Sequence, residues 1–97
     1  MNIWKRTVAI LLMGASIGLG AAGVAAAREV THVGGGTWYH GLTSARVYSN
    51  YFHSTRCHGS TAEGTYTYRS ATVAAGYTSE ASAPRALYNN KTYWRAC

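Results

Sequence analysis

Residues 38–53, "WYHGLTSARVYSNYFH", place five aromatic side chains and two histidines in sixteen positions without one carboxylate. Within them Val47, Ser49, Tyr51 and His53 alternate with Tyr48, Asn50 and Phe52. A period of two is the mark of a strand, and bulk on both sets means that both faces of that strand need an occupation. Aliphatic residues cannot supply it. From Arg28 onward there is no isoleucine or methionine, and the aliphatics are Val30, Val33, Leu42, Val47, Val73 and Leu87. Tyr and Trp, each able to bury roughly 150–250 Å², are therefore expected to build the core together with small Ala, Ser and Thr.

The rest of the chain reads as strand and turn. "GTYTYRSATVAAG", residues 64–76, alternates in the same way and is rich in residues that suit a pleated surface. Gly, Ser and Pro break the text at "HGSTAEG" and "GYTSEASAP". "NNK" between Leu87–Tyr88 and Tyr93–Trp94 predicts a hairpin turn, because Asn tolerates positive φ. No stretch after residue 27 shows a 3.6-residue apolar period. The expected class is all-β, a small antiparallel sandwich or barrel.

The first 27 residues differ. Lys5 and Arg6 precede an uncharged run from Thr7 to Ala27 that is most apolar at Val8–Met13 and closes on "GVAAA". Basic start, apolar middle and small residues at −3 and −1 are the layout of a secretory signal, with cleavage expected after Ala27. An uncleaved anchor is the alternative, which the glycines and the alanine cluster argue against. The expected organisation is a signal peptide over 1–27, a flexible Gly-rich leader over 28–36 and one domain over 37–97. Export places Cys57 and Cys97, the only cysteines, in an oxidising compartment. An intramolecular disulfide would close a loop of about 40 residues, worth on the order of 4 kcal/mol in the chain-entropy picture. A bridge between two chains, a free thiol or a metal ligand are the other uses of such a pair.

Chemistry is sparsely provided. His40, His53, Cys57 and His58 lie close in sequence, but their spacing matches no standard zinc pattern, so no metal or cofactor is expected. Beyond the signal, Glu29, Glu63 and Glu80 are the only acids and aspartate is absent. That leaves little for paired-carboxylate or triad catalysis, and the chain is read as a non-enzyme. Seven Lys/Arg against those three glutamates give a basic domain. Its arginines are dispersed, which, with export, argues against nucleic acid. Anionic envelope components suit it better: arginine grips phosphate bidentately, and Tyr or Trp stacks on sugar faces and sits well at membrane interfaces.

Three blocks carry a resemblance. "GTWYHG" (36–41), "YSNYFH" (48–53) and His58 are similar to the signature of the lactococcin-972-like bacteriocins, and "RSATVAAG" (69–76) and "ALYNNKTYW" (86–94) resemble the family's later regions. The resemblance implies a β-sandwich secreted by the general pathway. It implies an antibacterial acting at the septum of related Gram-positive cells by binding the wall precursor lipid II rather than by opening pores. It further implies a possible homodimer and a dedicated immunity and ABC transport system. Cys57 and Cys97 depart from the family's founding type. Candidate contacts are Trp38, His40, Tyr48, Asn50, Tyr51, His53, His58 and Arg69, each weighed against a scaffold role, since one strand cannot expose both faces. The rival reading is a secreted adhesive module for wall or carbohydrate, without toxicity.

Overall fold

Seven strands carry out the alternation read in the sequence. The computed structural model describes residues 26–97, so almost all of the expected signal peptide lies outside the described residues. The strands are β1 (Ala27–Val33), β2 (Gly36–Leu42), β3 (Arg46–Phe52), β4 (His58–Glu63), β5 (Thr67–Arg69), β6 (Thr78–Pro84) and β7 (Lys91–Ala96). They form a four-stranded sheet, β1-β2-β3-β6, and a three-stranded sheet, β5-β4-β7, with every pairing antiparallel. The two sheets pack face to face as a small sandwich.

The core lies where β3, β6 and β4 face each other. Val47, Ser49 and Tyr51 point inward from β3, Ser79, Ala81 and Ala83 from β6, and His58, Ser60 and Ala62 from β4, all buried. Small side chains bring the sheets close, and each inward hydroxyl then needs a partner. Ser60 Oγ donates to Ser79 O at 3.1 Å, Ser79 Oγ to Tyr51 O at 3.1 Å, and Ser49 Oγ to Tyr93 O at 2.9 Å. This corrects the expected aromatic core. Six of the eight tyrosines are exposed, and Tyr51 alone among them is fully buried. A gap lined by serine and alanine holds one phenol, and the others are left on the outside.

The 28–36 segment is not a loose leader: β1 runs through it, paired with β2 from Ala27↔Leu42 to Val33↔Gly36. Its main chain, rather than an apolar pattern, holds it there. Gly34 and Gly35, with φ of 64° and 85°, make the two-residue turn that a right-twisted hairpin favours. A Cβ at Gly34 would lie 2.4 Å from the Trp94 ring, so only glycine fits under that tryptophan.

Two other boundaries shift. The alternating 64–76 segment gives only the three-residue β5 and a single bridge, Val73↔His58. Ser70 ends the ladder, because its hydroxyl accepts from Ser60 N at 2.9 Å in place of a strand partner. The "NNK" segment is not a hairpin but a crossover, since β6 and β7 belong to different sheets. Asn90 closes it by bonding both main-chain groups of Ala86, at 2.8 and 3.0 Å, while Asn89 takes a φ of 63°. Cys57 and Cys97 form an intramolecular disulfide, Cα–Cα 5.3 Å, beside a Cys97 N to Cys57 O hydrogen bond of 2.8 Å.

Candidate functional site

The candidate contacts fall into four places, because period two sends neighbours to opposite faces. Tyr51, His53 and His58 are core. Tyr51 is 0% exposed, packed against Trp94 at 5.3 Å and edge-on to His58 at 5.6 Å. His53 Nε2 donates to Gly34 O at 3.0 Å while its Nδ1 accepts from the main-chain N–H groups of Thr55 (3.2 Å) and Arg56 (3.1 Å). That pattern places a ring proton on Nε2 and leaves Nδ1 as the acceptor. In His58 each ring nitrogen faces a carbonyl oxygen at 2.7 Å, Arg56 O on one side and Tyr77 O on the other. These three side chains hold loops and sheets together and leave no surface for a ligand.

Trp38 and His40 also point to the inner side, but on β2, where the narrower second sheet no longer covers them. Their rings stack at 3.7 Å and 19°. Trp38 Nε1 donates to Ser49 Oγ at 2.9 Å, which continues to Tyr93 O, so Trp38 seals the flank of the core. His40 Nε2 lies 2.9 Å from Thr31 Oγ1 and 3.6 Å from Glu29 Oε1. Burial pulls its pKa below the ordinary value and the Glu29 charge pulls the other way. Burial wins because Glu29 is 65% exposed, where water screens a carboxylate.

Tyr48 and Asn50 stand on the outer face of the four-stranded sheet, which no other element among the described residues covers. Register sets three rows across it: Arg28, Gly41, Tyr48, Ser82; then Val30, Tyr39, Asn50, Glu80; then His32, Thr37, Phe52, Thr78. Tyr39 is 44% exposed there. Burial against this face pushes the Tyr48 phenol up, with the Arg28 charge opposing and Glu29 adding to the rise. Arg46, at one end, is tied to Ser82 Oγ at 3.2 and 3.1 Å. A shallow recess of about 430 Å³ opens at the β1–β2 turn between His32 and Phe52.

Arg69 stands on the opposite outer face, that of the three-stranded sheet. Its row is Arg69, Thr61, Tyr93, flanked by Gly59 with Arg95 on one side and Thr67, Glu63, Lys91 on the other. Tyr39, Tyr93 and Arg95 were not candidates from the sequence. The tyrosines could have been flagged by alternation alone, but the meeting of Arg95 with Gly59 depends on a register that no local pattern encodes.

Among the described residues no group of three or more His, Cys, Asp or Glu is placed to hold a metal ion. The chemistry on display is that of open sheet faces carrying aromatic and cationic side chains on a small sandwich. The family model for Bacteriocin (Lactococcin_972) matches residues 34–94, and the chain belongs to that bacteriocin family. That match begins inside the β1–β2 turn and runs to Trp94, so it spans both sheets. Neither the curated proteins nor the solved structures compared with the chain gave a match.

Proposed function

We propose that this chain is a secreted, non-enzymatic bacteriocin that arrests septum formation in related Gram-positive cells by binding lipid II. Family membership supports the antibacterial part. The observation that carries the binding mode is the outward placement of tyrosine: six of eight are exposed, and register puts Tyr39 and Tyr93 on the two outer sheet faces, which also hold arginine. Lipid II offers a diphosphate, two amino sugars and a peptide at a membrane surface. Guanidinium groups suit the first, and phenol and indole faces suit the sugars and the interface. Secretion rests on the layout of residues 1–27. A homodimer and a dedicated immunity and ABC transport system belong to the same proposal.

Vesicles with and without lipid II test it. The disulfide-bonded protein is expected to be retained only on vesicles that contain lipid II. Equal retention on both kinds, or retention on isolated wall without any growth inhibition, would replace the proposal with the adhesive reading.

A further inference from the structure

Arg95 crosses the outer face of the three-stranded sheet instead of pointing away from it. Its guanidinium lies over Gly59 on the neighbouring strand: a Cβ built at Gly59 would sit 2.2 Å from the guanidinium carbon. Arg95 Nη2 donates to Ser70 O at 2.6 Å and Nη1 to Ser60 O at 3.4 Å. The group is thus held over the sheet by two carbonyls. Ser70 follows Arg69, so Arg95 reaches across to the main chain next to Arg69, which stands on the same outer face. Burial, and then the Arg69 charge, pull the Arg95 guanidinium below its ordinary pKa.

Placing two like charges together is unfavourable unless something offsets it. Glu63, the only acid on this face, stands opposite Lys91, and neither Arg69 nor Arg95 is ion-paired with a carboxylate among the described residues. The Thr61 hydroxyl position lies between Arg69 and Tyr93 in one row, and Tyr93 is 47% exposed. Two guanidiniums, a hydroxyl and a flat aromatic ring follow one another across a few residues of sheet.

We propose that Arg69 and Arg95, with Thr61 and Tyr93 beside them, form a site for a diphosphate whose attached sugar stacks on Tyr93. This rests on the lipid II reading for the identity of the natural ligand, and it chooses between the two exposed faces. The site uses preorganisation. Arg95 is already immobilised, so binding does not have to freeze its long side chain. The four-stranded face also carries two arginines, Arg28 in the row of Tyr48 and Arg46 held on Ser82, but Glu80 stands in its middle row beside Asn50 and Tyr39, where its charge opposes an anion.

The probe is inorganic pyrophosphate, titrated into the full, disulfide-bonded chain and followed by calorimetry and amide chemical shifts. Arg69→Gln, Arg95→Gln and Gly59→Ala are compared with Arg46→Gln, which removes the same charge from the opposite face. Saturable binding that weakens roughly tenfold or more in the first two variants, and in Gly59→Ala, but is unchanged in Arg46→Gln, supports the site. Wild-type affinity in Arg69→Gln, an exposed position that does not threaten folding, overturns it, as does a loss equal to that in Arg46→Gln. Lipid II vesicles separate the two claims. Retention that is equal for wild type and Arg69→Gln overturns the site while leaving lipid II binding in place. Arg69-dependent pyrophosphate binding without retention on lipid II vesicles keeps the site and removes lipid II as its ligand.

Discussion

The Tyr51 hydroxyl donates to the main-chain oxygen of Val33 at 2.7 Å, joining the middle of β3 to the last residue of β1. The phenol oxygen also takes a hydrogen bond from the Gly36 main chain, and burial holds the phenol above its ordinary pKa. Tyr51 therefore fixes the β1–β2 turn from below while Trp94 covers it from the other sheet. Tyr51→Phe keeps the ring but loses this buried hydrogen bond, and is expected to cost about 0.5–1.5 kcal/mol. Tyr51→Ala also opens a cavity and is expected to cost about 3–5 kcal/mol. Urea unfolding measures both, and an unchanged midpoint for Tyr51→Phe would mean that the bond contributes nothing.

His40 makes stability depend on pH in one direction. Folding favours its neutral ring, since burial lowers the pKa more than Glu29 raises it. An unfolded histidine takes up its proton near pH 6.5; the folded one resists to lower pH. Between those points the unfolded chain holds more protons, so stability declines as pH falls below about 6.5. His40→Gln should flatten this part of the profile. Glu29→Gln removes the opposing charge and should move the folded His40 titration to still lower pH, visible by NMR. An upward movement in Glu29→Gln is incompatible with this account.

The β-character of the chain was legible because alternation is local: Val47 to His53 announces β3 without any knowledge of partners. Three things were not. β1 was missed because its residues carry little apolar signal, and what places it is a main-chain ladder nucleated by Gly34-Gly35. The destination of the tyrosines was misread because burial depends on the distance between sheets, and that distance is set by Ser60, Ser79, Ala81 and Ala83. Among the site candidates, Tyr48, Asn50 and Arg69 reach open faces, whereas Tyr51, His53 and His58 are enclosed. Alternation told which residues share a face of β3, but not which face is covered.

The disulfide ties the end of β7 to the loop before β4 across 40 positions. Arg56 adds hydrogen bonds from its guanidinium to the main-chain oxygen of Cys97. Reduction, or a Cys57→Ser/Cys97→Ser double change, is expected to lower stability by about 3–4 kcal/mol in the chain-entropy picture. Release of β7 should expose Trp94 and shift its fluorescence to the red before global unfolding. If the reduced protein keeps the oxidised midpoint and emission, the bridge is ornamental to the fold.

The central claim is that this sandwich stops septation by occupying lipid II. The most direct measurement adds the disulfide-bonded protein to dividing Gram-positive cells of related species, with and without purified lipid II, and images the septa. The account predicts growth arrest with incomplete septa, relieved as added lipid II competes for the protein. Arrest that added lipid II leaves untouched, or normal division across a broad panel of such cells, contradicts it.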